Sequence, residues 1–295
     1  TNNSGGGGAS ATSKGDIIRL GSISTATKSG SLPTITTGKV LVNNTGILST
    51  SAVGSAGLLA QSIAGGGGYV SQTGDYQEYE ISFGSTGAIN AKAGTVNVNN
   101  TGAQIATSAN FSPALVAQSI GGGGGFAGNT TTAGYLGATY IEAASVGIAG
   151  SSNILMPEAC QFGSCDVVAV EQSVLVDIQG DLITTGSTSP VMLVQAIGGG
   201  GGRLGTVGGN AQMGTTNSTG LSNGDGGAIR VVSNAGASLT SIGNDSSALV
   251  IQSIGGGGGS VNSSGGNATL GGSGTGSFKA GAITLNGPFT ALTKG

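Results

Sequence analysis

Short runs of alternating apolar and polar residues recur along the chain, and tracts of glycine separate them. The runs "KVLVNN" at 39–44, "TVNVNN" at 95–100 and "AIRVV" at 228–232 alternate with a period of two. This period is typical of β-strands that bury one face. The run "ALVAQSI" at 114–120 differs, because both of its faces are largely apolar. We expect this strand to be covered on both sides, which makes Gln118 a buried amide that must find hydrogen-bond partners.

The run that ends in glutamine, a small residue and isoleucine occurs four times, and a glycine tract follows each copy. The copies are "GLLAQSIAGGGG", "ALVAQSIGGGGG", "VMLVQAIGGGGG" and "ALVIQSIGGGGG". Their glutamines are Gln61, Gln118, Gln195 and Gln252, spaced by 57, 77 and 57 positions. A fixed period indicates a repeat architecture. We divide the single continuous solenoid of residues 1–295 into units 9–68, 69–125, 126–202 and 203–259 and a partial unit 260–295.

The length of the unit suggests how the chain winds. Fifty-seven is three times nineteen, and about twenty residues make a plausible coil of a parallel β-helix. Coils stack about 4.8 Å apart, so identical motifs would lie about 14 Å apart along the axis. That separation disfavours a ladder of glutamines and favours a nearby backbone turn as the partner of each amide. The third unit is 20 residues longer and carries Cys160 and Cys165. Its excess predicts one added coil, or a loop of that size.

Composition supports an all-β solenoid with structural glycines. The chain has 62 glycines in 295 residues, which disfavours helix, and they do not recur every third residue as in collagen. A mean hydropathy of +0.21 and the β-branched strands argue against disorder. Glycine tracts allow positive φ or close backbone approach. The segments "NNTG" at 43–46 and 99–102, and "SNAG" at 233–236, predict the corners of coils.

The residue types exclude several kinds of chemistry. The chain has no histidine, so a histidine-based triad and the common zinc sites are excluded. No glycine tract is followed by the lysine of a phosphate-binding loop, and no strand–GxGxxG–helix pattern occurs. The basic residues are scattered, which argues against nucleic acid, and no apolar run is long enough to cross a membrane. We therefore expect a protein that is not an enzyme and that binds no cofactor or metal.

Two small clusters leave alternatives open. Cys160 and Cys165 in "CQFGSC" are candidates for a disulfide in an extracellular protein, with free thiols or a metal as the other interpretations. The acidic residues Asp75, Glu78 and Asp177 are interpreted first as solubilising charges on exposed strands. A carbohydrate-active site is the alternative, because β-helices can host paired carboxylates that cleave sugars.

The pattern "VNNTG…ALVAQSIGGGGG" resembles the passenger regions of large Gram-negative autotransporter proteins, and the four copies extend this resemblance over nearly the whole chain. It implies export to the bacterial cell surface, a right-handed β-helix and an adhesive or structural role. The barrel, signal sequence and caps of that family are not recognisable. We therefore expect either a segment of a longer passenger or a complete subunit.

These observations predict a non-enzymatic structural or adhesive repeat segment of an extracellular, cell-surface protein. The expected partners are neighbouring repeats or further copies joined head to tail, and host-surface or biofilm glycans. A self-assembling filament subunit, joined through strand edges, is the first alternative. A carbohydrate-active β-helix enzyme is the second.

Overall fold

The computed structural model describes most of the repeat core and parts of the segments between repeats. The described residues are 17–20, 34–64, 67–70, 80–83, 90–122, 124–127, 134–136, 146–148, 152–157, 167–207, 211–213, 224–233, 236–264, 266–270 and 279–295. They form strands and turns, and no helix is present among them.

The strands follow one another in a repeating order along the chain. The first eight are β1 (Ile17–Leu20), β2 (Thr34–Thr36), β3 (Val40–Asn44), β4 (Leu48–Thr50), β5 (Leu58–Ile63), β6 (Gly68–Val70), β7 (Glu80–Phe83) and β8 (Asn90–Lys92). The next eight are β9 (Val96–Asn100), β10 (Gln104–Thr107), β11 (Leu115–Ile120), β12 (Gly125–Ala127), β13 (Gly134–Leu136), β14 (Val146–Ile148), β15 (Ser152–Pro157) and β16 (Val167–Gln172).

The remaining strands repeat the same order. They are β17 (Val174–Ile178), β18 (Asp181–Thr184), β19 (Met192–Ile197), β20 (Gly202–Val207), β21 (Ala211–Met213), β22 (Ile229–Ser233), β23 (Ala237–Ser241), β24 (Leu249–Ile254), β25 (Gly259–Ser264), β26 (Ala268–Leu270), β27 (Ile283–Asn286) and β28 (Phe289–Thr293).

Equivalent strands of successive repeats stack into parallel sheets. Sheet 1 is ordered β27-β22-β17-β9-β3, sheet 2 is β28-β23-β18-β10-β4, and sheet 3 is β24-β19-β11-β5. Sheet 4 is β25-β20-β12-β6, sheet 5 is β1-β7-β13-β21-β26, and sheet 6 is β14-β8-β2. This is the all-β, parallel β-solenoid that the repeat pattern predicts. We call each pass of the chain through these sheets a rung.

The main hydrophobic core lies between sheets 1, 2 and 3. It contains Val98 and Val176 of sheet 1, Leu182 of sheet 2, and Leu115 and Met192 of sheet 3, all fully buried. Burial of one such side chain stabilises the fold by about 1.5–3 kcal/mol. Sheet 1 also shows why alternation predicts this packing, because β9 buries Val96, Val98 and Asn100 and leaves the residues between them half-buried.

The predicted coil length is wrong. Each rung contains strands of several sheets, and identical motifs lie on directly paired strands rather than three coils apart. Gln61 pairs with Gln118 across β5 and β11, and Gln118 pairs with Gln195 across β11 and β19. The 57 residues between equivalent positions form outer strands as well as core strands, so they make up one rung and not three coils of nineteen residues.

The longer third unit keeps the same stacking. β9 pairs directly with β17, and β11 pairs directly with β19, although these partners are 77 rather than 57 residues apart. No rung is therefore added between them. The segment before β17 instead contains an antiparallel pair, β15 with β16. Cys160 and Cys165 lie outside the described residues.

The corners predicted at residues 43–46 and 99–102 are present, whereas residues 234 and 235 of the third predicted corner lie outside the described residues. β3 ends at Asn44 and β4 begins at Leu48, and β9 and β10 are separated in the same way. The Asn44 Oδ1 atom accepts a hydrogen bond from the Gly46 backbone N–H at 3.2 Å. The Asn44 side chain also donates to Asn100 Oδ1 of the next rung at 2.6 Å. The side chain therefore closes its own turn and ties it to the turn above.

Candidate functional site

The four repeated glutamines form one continuous ladder through the solenoid. The Gln61 amide donates to Gln118 Oε1, and Gln118 Nε2 donates to Gln195 Oε1 at 2.5 Å. Gln195 Nε2 then donates to Gln252 Oε1 at 2.7 Å. We call this row of side chains the Gln ladder. The sequence disfavours such a ladder, but it forms because equivalent strands are neighbours rather than three coils apart. The predicted backbone partners are present beside it, as carbonyl oxygens of the glycine tracts.

Backbone carbonyls from the glycine tracts set the direction of the Gln ladder. Gln118 Nε2 also lies 3.4 Å from the Gly68 carbonyl oxygen, and Gln252 Nε2 lies 3.2 Å from that of Gly202. A carbonyl oxygen requires a donor, so the nitrogen must occupy this side of each amide. In each amide one N–H therefore donates to the glycine carbonyl and the other to the glutamine of the next rung, so the bonds between glutamines all run in the same direction. Among the described residues, Gln61 Oε1 accepts no hydrogen bond, and one N–H of Gln252 donates none.

The strand that carries the central glutamine is buried on both faces, as its apolar pattern predicts. All six residues of β11 are buried. Leu115 and Ala117 face the main core, while Val116 packs with Tyr69 and Phe126 of sheet 4. Sheet 4 and the glycine tracts thus form a second layer over the outer face of sheet 3, with Gln118 between them.

The glycine tracts allow this second layer to lie close, which confirms the predicted role of the glycines. Gly124 has φ +119° and Gly125 has φ +127°. A Cβ atom on Gly124 would collide with the Gly201 carbonyl oxygen of the next rung, and one on Gly125 with that of Gly68 in the previous rung. Both the backbone angle and the stacking distance therefore require glycine at these positions.

A second ladder, of serines, was missed by the sequence analysis. The Ser55 backbone N–H donates to Ser112 Oγ at 3.1 Å, and the Ser112 N–H donates to Ser189 Oγ at 2.9 Å. The Ser189 N–H donates to Ser246 Oγ at 2.9 Å. Each serine lies six positions before a ladder glutamine. Aligning the four copies on their glutamines would have shown this column.

An outer column on sheet 4 combines aromatic and charged side chains. Tyr69 and Phe126 stack with ring centroids 5.3 Å apart, and Arg203 occupies the next position of the same sheet. The Tyr69 hydroxyl donates to the Phe111 carbonyl oxygen, and burial raises the pKa of Tyr69. Arg203 makes the equivalent bond to the Asp245 carbonyl oxygen at 3.3 Å. Phe111 and Asp245 are both left-handed corner residues, with φ 57° and 54°.

Arg203 is a buried cation held by neutral oxygen atoms. It is only 6% exposed and also donates to Ser247 Oγ and Asn262 Oδ1 at 3.2 and 3.4 Å. Its Nε is buried without a partner in the part of the chain that the structure describes. Burial lowers the pKa of Arg203, and the nearby Asp245 carboxylate opposes that shift.

A polar groove of about 500 Å³ opens beside Arg203. Its floor is the segment from Gly243 to Ala248, which leads into β24, and its wall includes Asn262, Thr293 and Gly295. The groove therefore adjoins β24, because the segment that forms its floor leads directly into Leu249.

The predicted acidic site is not assembled by the described residues. Asp177 is half-buried on β17, and Asp181 is exposed at the start of β18. Asp75 and Glu78 lie outside the described residues, and so do both cysteines of the disulfide prediction. Within the described ranges, no three acidic or cysteine side chains cluster in a way that could hold a metal ion.

Comparison of the chain with protein-family models, curated proteins and solved structures returned no match. In the residues that the structure describes, no helix has the length and apolar character needed to span a membrane.

Proposed function

We propose that this chain is a non-enzymatic structural and adhesive repeat segment of an extracellular, cell-surface protein. The observation that carries the proposal is the Gln ladder, which joins four successive rungs through buried side chains. A buried polar row of this kind fixes the register of the stacked strands, because a slipped strand would leave amides without partners. A solenoid with fixed register is rigid, so it acts as a spacer that holds an adhesive surface away from the point at which the protein is anchored.

The likeness of the repeats to autotransporter passengers supports a bacterial cell-surface location and an adhesive role. The partners that fit this role are neighbouring repeats and glycans of a host surface or biofilm. Nucleic acid does not fit, since the chain carries nine Lys and Arg residues against twelve Asp and Glu.

Adhesion can be tested with beads that carry the purified chain at one end. We expect such beads to be retained on immobilised biofilm or host-cell glycans, and retention to fall when periodate destroys the sugar diols. Beads carrying heat-unfolded chain are the control. Absence of retention would contradict the adhesive role, whereas release of reducing sugars would favour the carbohydrate-active alternative and call for an Asp177→Asn variant.

A self-assembling filament subunit is the second candidate, and the polarity of the Gln ladder favours it. The row is polar, because each glutamine donates through its amide nitrogen to the Oε1 atom of the glutamine in the next rung. Stacks of parallel strands with one polarity associate head to tail, and such contacts extend without closing. Electron microscopy over a concentration series tests it: short rods of constant length would contradict polymerisation, and fibres that lengthen with concentration would support it.

A further inference from the structure

Two asparagines of the chain are followed directly by glycine, in the pairs Asn223–Gly224 and Asn286–Gly287. Such a pair can react within itself, because glycine has no side chain to hinder attack of its backbone nitrogen on the asparagine carboxamide. Asn286 is the last residue of β27, and Gly287 lies between β27 and β28. Asn223 lies outside the described residues, and its sequence makes it an internal reference for this reaction.

Two hydrogen bonds hold the Asn286 carboxamide in the orientation that satisfies both of its polar atoms. Its Oδ1 atom accepts from Arg230 Nη2 of the neighbouring rung at 3.1 Å, and its Nδ2 atom donates to the Leu285 carbonyl oxygen at 3.2 Å. A guanidinium on Oδ1 stabilises the negative charge that this oxygen acquires when a nucleophile adds to Cγ. Arg230 therefore activates the carbon atom that the Gly287 nitrogen can attack.

The stacking of the rungs requires glycine after Asn286. Gly287 has φ +95°, and a Cβ atom at this position would collide with the Ser233 carbonyl oxygen of the neighbouring rung. Positive φ and close backbone approach are both conditions that favour glycine. The fold therefore keeps an unhindered backbone nitrogen beside the activated carboxamide.

The surroundings of Asn286 also fit a carboxylate, the product of the reaction. Arg230 Nε is buried without a hydrogen-bond partner among the described residues. Nε and Nη2 lie on the same edge of the guanidinium, so together they can hold both oxygens of a carboxylate, whereas a carboxamide has one oxygen only. Asp177 lies two rungs away in the same column of sheet 1, so this column already accommodates a carboxylate.

From these contacts we infer that Asn286 is a self-modification site that converts to aspartate in the folded chain. Hydroxide removes the amide proton of Gly287, and the nitrogen forms a bond to Asn286 Cγ. The bond between Cγ and Nδ2 then breaks, and the nitrogen leaves as ammonia after taking a proton from water, which regenerates hydroxide. The product of this step is a five-membered succinimide ring.

Arg230 determines how the succinimide opens. Water can add to Cγ, which gives ordinary aspartate, or to the backbone carbonyl carbon of Asn286, which gives isoaspartate and inserts a methylene group into the main chain. Because Arg230 still holds Oδ1, the addition at Cγ is the one that it stabilises. The bond from Cγ to the Gly287 nitrogen breaks, the nitrogen regains its proton, and the new carboxylate stays paired with Arg230.

The test follows both Asn–Gly pairs in one sample of the full chain. The protein is kept folded in mildly alkaline buffer, and peptide mass spectrometry measures the mass gained when NH₂ is replaced by OH at Asn286 and Asn223. Electron-transfer fragmentation distinguishes aspartate from isoaspartate. We expect Asn286 to convert with aspartate exceeding isoaspartate about tenfold, the preference that one hydrogen bond to a charged group can supply.

Variants of Arg230 test its role directly. Arg230→Met should slow the conversion of Asn286 about tenfold and shift its product toward isoaspartate, while Asn223 in the same sample converts as before. Arg230→Lys keeps a cationic donor without the planar fork, so it should restore part of the rate. In urea the two asparagines of the original chain should convert at similar rates, and isoaspartate should predominate because the backbone carbonyl carbon is the more electrophilic.

Three results would overturn the inference. They are an unmodified Asn286, a predominance of isoaspartate at Asn286 in the folded chain, and an Arg230→Met variant in which neither the rate nor the product changes. The comparison between folded and urea-unfolded chain keeps the test decisive if Arg230→Met fails to fold. None of these measurements involves glycans or polymerisation, so the outcome is independent of the adhesive role.

Discussion

The replacement of Gln118 by glutamate tests the Gln ladder most directly. Gln118 is fully buried, accepts from Gln61 and donates to Gln195 and Gly68. An ionised glutamate keeps the acceptor but has no N–H, so two oxygen atoms face each other at Gln195 in a site without solvent. A protonated glutamate restores a donor toward Gln195. We therefore expect Gln118→Glu to be tolerated in acid and strongly destabilising at neutral pH.

The magnitude follows from the linkage between protonation and folding. Burial and the facing Gln195 Oε1 both raise the pKa of the new carboxyl in the folded chain above its unfolded value of about 4.3. The pH-dependent loss of stability is then absent below about pH 4.3 and grows by about 1.4 kcal/mol for each pH unit until the folded pKa is reached. If that pKa lies near 7, the free energy of unfolding is lower by about 4 kcal/mol at pH 7.

The assay is urea denaturation followed by circular dichroism between pH 4 and pH 7, with the original chain measured at each pH. Gln179→Glu is the matched control, because Gln179 is exposed in the turn after β17 and the change adds the same charge. We expect this control to remain within about 0.5 kcal/mol of the original chain throughout, as for most surface substitutions. A pH-independent effect of Gln118→Glu, or one equal to that of the control, would refute the ladder as described.

Three further substitutions test other parts of the solenoid. Gly124→Ala should lower the free energy of unfolding by more than about 3 kcal/mol, because it combines positive φ with a collision against Gly201. Gly38→Ala is the control and should change the free energy of unfolding little, because there is open space where its Cβ would lie. Equal urea midpoints for the two variants would contradict the stacking. Arg203→Met should be neutral or stabilising by about 1 kcal/mol, since it removes a buried cation held by neutral oxygens. A thermal melt in which the free energy of unfolding falls by more than about 2 kcal/mol would show that the guanidinium is needed. Because burial raises the pKa of Tyr69, the contribution of its hydroxyl to stability is present below about pH 10 and is lost as the pH rises further. Tyr69→Phe should cost about 1 kcal/mol at pH 7 through the lost hydrogen bond to Phe111. In urea denaturation above pH 10, the stability of this variant should fall less than that of the original chain.

Much of the fold could be predicted from local pattern, because the pattern reflects local physics. Alternation in "TVNVNN" predicted the half-buried β9, and the apolar faces of "ALVAQSI" predicted the full burial of β11. The number of residues in one rung could not be obtained in this way. Fifty-seven is divisible by nineteen, yet divisibility does not distinguish three short coils from one rung whose outer strands fold back over sheet 3.

Because the predicted coil length was wrong, the contacts between the repeated glutamines were predicted wrongly as well. With copies of the motif placed three coils apart, Gln118 could not reach Gln61 or Gln195, and the Gln ladder was disfavoured. The contact of Arg203 with Asp245 was also beyond the sequence, because the two residues are 42 positions apart and no charge pattern links them. Alignment of the copies was sufficient, by contrast, to predict that their glutamines and glycines are structurally equivalent.

The uniform direction of the Gln ladder also gives the molecule an electrical axis that its sparse charges do not supply. Every primary amide in the row is oriented alike, and a carboxamide has a dipole moment close to the ~3.5 D of a peptide unit. These moments add with each further rung instead of cancelling. A longer array of the same repeats would therefore orient in an applied field more strongly in proportion to its length, and transient electric birefringence could measure that growth.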